Sequence, residues 1–277
     1  MSLTNEEIAT YRSDGFVVPP YRLGPADIAR LKAQCEAVIA ANPHLENRPI
    51  PNPHCASFAR LGVKNDGALM EWAVKREIVD IVEQVAGPDL ILWSGTIFHK
   101  PPVMGKRTPW HRDGEFWPLD PLETTSVWVA VTESTVENGC LRLIPGSHKA
   151  RDIGRHHNAT TNDVLFEREI DDDQFDPSAA VDIELEPGQM VFFDVRMLHG
   201  GEPNRSQLPR TAWSARYMPA TTRFEHDAAR ASAVGDEAFT LATRPLFLVR
   251  GEDRAGNDFT RNLDAADLAR AQGAVAA

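Results

Sequence analysis

Hydrophobic positions change their spacing about a third of the way along the chain. Up to about residue 88 they recur every three or four residues, as on an amphipathic helix; beyond it they form short runs separated by turn residues, as in strands. Asn5-Glu6-Glu7 opens a short helix that Ser13-Asp14-Gly15 ends, and Phe16-Val17-Val18 reads as a brief strand. Gly24-Pro25 starts a longer helix with Ile28, Leu31, Cys35, Val38 and Ile39 on one side. Asn42-Pro43 stops it, because the residue before a proline disfavours helical backbone. The proline-dense stretch from about 42 to 66 reads as loop. A further helix is expected from about Gly67 to Ala86, with Leu69, Met70, Ala73, Ile78, Ile81, Val82 and Val85 as its apolar side and Gly87-Pro88 as its end.

Residues 90–98 and 125–132 are rich in β-branched and aromatic side chains, and shorter strands are expected at 140–144, 181–185, 190–194, 211–218 and 246–249. Turn signals lie between them, at Glu137-Asn138-Gly139, Pro145-Gly146 and Glu186-Pro187-Gly188. Many short strands without alternating helices predict an antiparallel sandwich or barrel rather than a βαβ sheet. The polar stretch from about 150 to 180 reads as a loop over the barrel mouth. The simplest organisation is one domain over 1–277, with a helical buttress (1–88), a β core (89–250) and a tail (251–277).

Composition narrows the partners. The chain has 277 residues, 42% hydrophobic and 25% charged, which excludes a disordered chain. Its net charge of −11 argues against nucleic acid or an anionic membrane as main partner. No run approaches the roughly 18–20 apolar residues of a membrane span, and the polar, acidic start carries no secretory signal. Cys35, Cys55 and Cys140 are far apart and form no CxxC, so they are expected to be buried, reduced thiols. These features together predict a cytoplasmic protein.

Most of the nine histidines need no special role; His44, His54, His156, His157 and His226 read as surface residues. His111 differs. It stands in His111-Arg112-Asp113, and at i and i+2 of extended chain both outer side chains project to the same side. An imidazole nitrogen and a carboxylate oxygen can then reach one metal ion. His199 supplies a third ligand, at the end of the apolar run 190–198 and before Gly200-Gly201, where the backbone can turn sharply. Two histidines and a carboxylate suit the facial triad of a non-haem Fe(II) oxygenase, and they also suit catalytic zinc. Arg210, eleven residues beyond His199, favours iron: a guanidinium facing into a barrel needs a carboxylate, which a dicarboxylic co-substrate supplies.

With these residues in place the sequence resembles the phytanoyl-CoA dioxygenase family of Fe(II)/2-oxoglutarate oxygenases, which includes the ectoine hydroxylases. The matching stretches are Tyr11 to Val18, Lys100-Pro101-Pro102, Trp110 to Gly114, Asn138 to Lys149, Pro187-Gly188, His199-Gly200 and Arg210. The resemblance implies a mainly β double-stranded β-helix (jelly roll, cupin-like) with the N-terminal helices packed outside. It implies Fe(II) held by His111, Asp113 and His199, with 2-oxoglutarate and O2 as co-substrates and Arg210 on the far carboxylate of 2-oxoglutarate. It further implies co-substrate contacts at Thr96, Phe98 and Trp128, and an aromatic on the substrate side at Trp117. Ser94, in alternation with Thr96, and Arg216, in alternation with Ser214 and Arg210, join the substrate side. A serine common two residues after the distal histidine is Gly201 here, so its contact is missing. His148 falls in a stretch that looks structural, and Lys100 stays off the site.

The activity so implied is oxidation, by default hydroxylation, of an unactivated C–H bond, with 2-oxoglutarate converted to succinate and CO2. An intact Asp113 disfavours halogenation. A non-catalytic jelly-roll binding or sensor protein usually loses a ligand or the arginine, and this chain has lost neither. A zinc hydrolase on a cupin-like barrel leaves Arg210 without a job. A small metabolite is the expected substrate. Arg107, Arg112, Arg216 and Arg223 suit an anionic one, Phe116 and Trp117 an apolar or cationic one, and the oligomeric state stays open.

Overall fold

Helices open the fold. The computed structural model describes residues 2–150, 152–227 and 241–261, without the side chains of 60 and 61; the expected tail lies outside the described residues beyond 261. Helix α1 (Asn5–Asp14) starts in a capping box, in which the Thr4 hydroxyl accepts from the Glu7 N–H and the Glu7 carboxylate accepts from the Thr4 N–H. It ends at Gly15, whose φ of 86° suits glycine. Helix α2 (Pro25–Ala41) has proline in its first turn and stops at Asn42. The single helix expected over 67–86 is instead two, α3 (Met70–Ala73) and α4 (Arg76–Ala86), with Lys75 extended between them. The Tyr217 hydroxyl donates to the Ala73 carbonyl freed at the break, at 2.7 Å, and the Trp72 indole beside it donates to Gln34 Oε1 at 2.5 Å. The break lets Met70, Trp72 and Ala73 enter the core together with Ile78, Val79, Ile81 and Val82.

The strands are β1 (Phe16–Val17), β2 (Ile50–Pro51), β3 (Leu90–Lys100), β4 (Thr108–His111), β5 (Leu119–Asp120), β6 (Thr125–Ala130), β7 (Leu141–Leu143), β8 (His156–Asn158), β9 (Arg168–Ile170), β10 (Val181–Ile183), β11 (Met190–Asp194), β12 (His199–Gly201), β13 (Arg210–Pro219), β14 (Arg223–Phe224) and β15 (Phe247–Arg250). A large antiparallel sheet runs β1-β11-β6-β13-β3-β15, with β2 also on β3, and a smaller one runs β10-β7-β12-β4. Trp128, Ala130, Val191, Phe193 and Ala212 of the large sheet pack with Leu141, Leu143 and Ile183 of the small one, so the two inner faces form one core. Outward residues of the large sheet, among them Leu92, Ile97, Val127, Phe192, Trp213 and Tyr217, pack with the helices. Both faces of β6 and β13 are therefore covered, which explains their nearly continuous burial. This is the expected jelly roll with its helical buttress outside.

Two loop expectations change. The 42–66 stretch contributes β2 to the large sheet and a 3-10 turn at Ala56–Leu61, and the 150–180 stretch carries the β8–β9 hairpin. Surface expectations for His226 and His54 also fail. His226 is buried and donates from Nε2 to the Arg244 carbonyl. His54 is buried edge-on against Trp213 and Phe247, with ring centroids 5.8 and 6.1 Å away.

His54 reaches its place only because β3 has glycine beneath it. A β-carbon at Gly95 would stand 2.4 Å from Trp213 Cη2 and 2.7 Å from His54 Nδ1. Gly95→Ala is therefore expected to cost about 1–3 kcal/mol in denaturant unfolding, the usual cost of overpacking. Burial also keeps imidazoles neutral, pushing His54 down to about 3 and, with the Arg210 charge, His99 down to about 4. In the unfolded chain both protonate near pH 6.5. As pH falls the unfolded state takes up these protons first, so their contribution to stability is full above about pH 6.5. It is then lost with a slope of at most about 1.4 kcal/mol per pH unit per group. Unfolding free energies measured between pH 7 and pH 4 should decline accordingly.

Candidate metal centre

Strands β4 and β12 are antiparallel neighbours, and their register sets His111 directly opposite His199. The imidazole centroids lie 4.0 Å apart. Asp113, two residues beyond His111, returns to the same side, with Oδ1 3.6 Å from His111 Nε2. One ligand atom from each of the three buried side chains lies within 4.8 Å of the others. The backbone fixes both rings: His111 Nδ1 donates to the Pro109 carbonyl at 2.8 Å and His199 Nδ1 to the Met197 carbonyl at 2.9 Å. A neutral imidazole with its proton on Nδ1 presents a lone pair at Nε2, so the two lone pairs and the carboxylate form one donor set.

The local charges hold that set in its binding form. Burial opposes the charge on Asp113, but the Arg216 guanidinium overcomes it and keeps the carboxyl well below the usual range. Burial first, then His111, pushes His199 down to about 3. Oδ2 of Asp113 has no hydrogen-bond partner, a costly state for a buried oxygen.

A cavity of about 1360 Å3 opens beside these residues. All the side chains expected to face it do so: Ser94, Thr96 and Phe98 from β3, Trp128 from β6, Arg210 and Arg216 from β13, and Trp117. The ladders explain this, since Ser214 pairs with both Thr96 and Trp128 while Arg216 pairs with Ser94. Arg210 is 4% exposed, and its guanidinium carbon stands 5.5 Å from the Trp128 ring centroid. Its Nε is unpartnered, no carboxylate lies within 4 Å among the described residues, and burial pulls it down to about 10. Arg216 donates to Thr96 Oγ1 at 3.1 Å, and its Nε lies 3.7 Å from Asp113 Oδ2. It also lies over Trp117, 5.1 Å from the centroid. Trp117 meets Trp93 edge-on at 4.7 Å.

Other mouth residues differ from expectation. Arg107 is tied to Glu169, and Arg223 to Glu225 at the surface. Arg112 turns away from the cavity centre and donates to main-chain carbonyls. Ser94 accepts from Arg244, which also contacts Asn52, and both of these line the cavity. Neither was visible as a site residue in the sequence; the Pro-Asn-Pro bend around Asn52, where φ is 49°, was the available signal. Phe166 stands edge-on to His111 with centroids 4.7 Å apart, and the apolar run Val164-Leu165-Phe166 within a polar stretch pointed to it. Half-buried His156 also lines the cavity rather than the open surface.

The profile of the phytanoyl-CoA dioxygenase (PhyH) family matches residues 11–212. The chain belongs to the phytanoyl-CoA dioxygenase family. A similar curated relative is the mouse protein named phytanoyl-CoA dioxygenase, peroxisomal, 28% identical over 232 residues that cover 78% of this chain and 68% of that protein. Among solved structures, the non-heme monooxygenase ThoJ superposes with a TM-score of 0.68 at 26% identity, covering 97% of both chains. EctD from S. alaskensis, solved with 2-oxoglutarate and 5-hydroxyectoine, superposes at 0.61 and 21% identity over 80% of this chain and 78% of that one, a likeness of fold. As a member of the phytanoyl-CoA dioxygenase family, the chain is an Fe(II)/2-oxoglutarate-dependent oxygenase of jelly-roll fold. No helix among the described residues of this family member is long and apolar enough to cross a membrane.

Lys100, set aside in the sequence, is completely buried; its ammonium donates to the carbonyls of Gly139, Gly201 and Glu202. It ties the end of β3 to β12 just beyond His199. A β-carbon at Gly201, where family members commonly carry serine, would stand 2.8 Å from the Cys140 carbonyl oxygen. Burial and the charge of Arg210 lower the Lys100 pKa well below the ordinary value. Lys100→Met should leave these carbonyls unpaired and cost about 2–3 kcal/mol in denaturant unfolding.

Proposed function

We propose that His111, Asp113 and His199 hold Fe(II), and that Arg210 takes the far carboxylate of 2-oxoglutarate with Trp128, Thr96 and Phe98 beside it. The part of the cavity lined by Trp117, Ser94 and Arg216 takes a small-molecule substrate. The observation that carries this reading is the pairing, in one cavity, of a convergent two-imidazole, one-carboxylate donor set with a buried arginine that lacks an anion. The donor set fits a ferrous ion: both Nδ1 atoms are engaged by main-chain carbonyls, which leaves the Nε2 atoms as lone-pair donors, and Asp113 Oδ2 accepts no hydrogen bond from the protein. A zinc hydrolase would use the same donors and leave the Arg210 charge buried and unneutralised.

The bound metal, with 2-oxoglutarate and O2, supplies an oxidant strong enough for an unactivated C–H bond, and 2-oxoglutarate leaves as succinate and CO2. The protein supplies placement. Arg210 offers a fork to one carboxylate and so sets the direction in which the diacid lies. The Pro109 and Met197 carbonyls hold the two imidazoles in orientation, and the aromatic walls exclude water from the reacting region. Phe116 and Trp117 suit an apolar ring or chain, and Arg216 suits an anionic group on it. The three cysteines are buried thiols, which favours the cytoplasm, and residues 1–277 are read as one domain.

Anaerobic addition of Fe(II) and 2-oxoglutarate should give a visible charge-transfer band, and O2 should then release succinate. Asp113→Ala should abolish the band. Arg210→Met should raise the 2-oxoglutarate concentration for half-saturation by about 30-fold, which corresponds to losing about 2 kcal/mol of charge-assisted hydrogen bonding. Wild-type protein without a band, or an Arg210→Met variant that saturates like the wild type, contradicts the assignment.

A further inference from the structure

Arg112 stands between two of the proposed ligands in sequence but faces the other way. It is 8% exposed, and no carboxylate lies within 4 Å of it among the described residues. Its guanidinium donates only to main-chain carbonyls, each from a different turn: Nε to Arg196 at 3.1 Å, Nη1 to Ile153 at 3.4 Å and Nη2 to Ser147 at 3.5 Å. Such burial of a charge without a close ion pair is costly and calls for a reason.

Each of those turns bears on the site. Arg196 lies in the turn that delivers His199, next to Met197, whose carbonyl fixes the His199 ring. Ser147 holds the same turn from the other side, its hydroxyl accepting from the Leu198 N–H at 2.9 Å. Ile153 leads into the β8–β9 hairpin, where Nε2 of His156 accepts the Arg112 main-chain N–H at 3.3 Å. That hairpin and the loop within it carry Phe166 onto His111. The β4–β12 ladder stops at the His111–His199 pair, so beyond it no strand hydrogen bond joins the His199 turn to the segment bearing Asp113.

We propose that Arg112 is a positioning residue that takes over where the ladder ends, clasping the His199 turn and the β8–β9 hairpin to the Asp113 segment so that the donor set keeps its geometry. The planar fork, with donors in several fixed directions, can serve three carbonyls at once, which a lysine ammonium on its flexible stem cannot. The proposal rests on the reading of His111, Asp113 and His199 as metal ligands.

The test uses the full chain with Co(II) as the probe, titrated anaerobically and read by its visible d–d spectrum, well below the unfolding temperature. Arg112→Gln should bind Co(II) about 10–100-fold more weakly, as loss of a ligand-orienting partner commonly does, and Arg112→Lys should lose less. A merely stabilising arginine would lower the unfolding temperature and leave affinity and spectrum alone. Either folded variant binding Co(II) with wild-type affinity and spectrum overturns the proposal. Should Arg112→Gln not fold, Arg112→Lys decides, and a several-fold loss is expected. Failure of the wild type to bind Co(II) would instead refute the ligand assignment, so the two failures are distinguishable.

Discussion

The register between β4 and β12 is the constraint on which the rest depends. His111 and His199 are 88 residues apart in sequence and meet because they occupy one rung of an antiparallel ladder. Side chains alternate along a strand, so a slip by one residue would turn one imidazole to the opposite face. Several contacts hold this rung. Lys100 ties β3 to the carbonyl of Gly201, and Gly201 itself has no room for a side chain. Ser147 holds Leu198 from the other flank. The matching stretch Pro145-Gly146-Ser147-His148-Lys149 is thus structural in a definite sense, as a clamp on the turn before His199.

The electrostatics invert those of the whole molecule. A chain of net charge −11 lines one cavity with Arg210 and Arg216, two buried guanidinium groups on the same face of β13. Each has a different local answer. Arg216 stands near Asp113, and Arg210 has an aromatic ring and no carboxylate. A buried charge of that kind is tolerated where a ligand completes it, and a dicarboxylate lying between Arg210 and the metal would do so. The helices outside the large sheet matter to this arrangement indirectly. They cover its outer face, so that β3, β6 and β13 can be apolar outward and carry polar groups inward.

Much of this was legible in the sequence, for identifiable reasons. The period-two rule placed His111 with Asp113, and Arg210 with Ser214 and Arg216, and the capping signals set the ends of α1 and α2. What escaped depended on partners remote in sequence. The apolar repeat over 67–86 continues across Val74-Lys75, and the hydroxyl that takes up the Ala73 carbonyl at the break comes from Tyr217, remote in sequence. Strand β2 pairs through two residues, too short a run to show alternation. His54 looks polar in a loop, yet Gly95 leaves the space that buries it. The sequence leaves Lys100 off the site and puts Arg112 at the mouth as a substrate contact, because their actual partners are main-chain carbonyls, which no side-chain pattern reveals.

X-ray absorption at the iron edge of protein reconstituted anaerobically with one Fe(II) tests the central claim most directly. The account predicts a shell of nitrogen and oxygen ligands with the outer scattering of two imidazoles. That signal should fall to one imidazole in His199→Ala. A sulfur ligand, or the same imidazole scattering with and without His199, would contradict it.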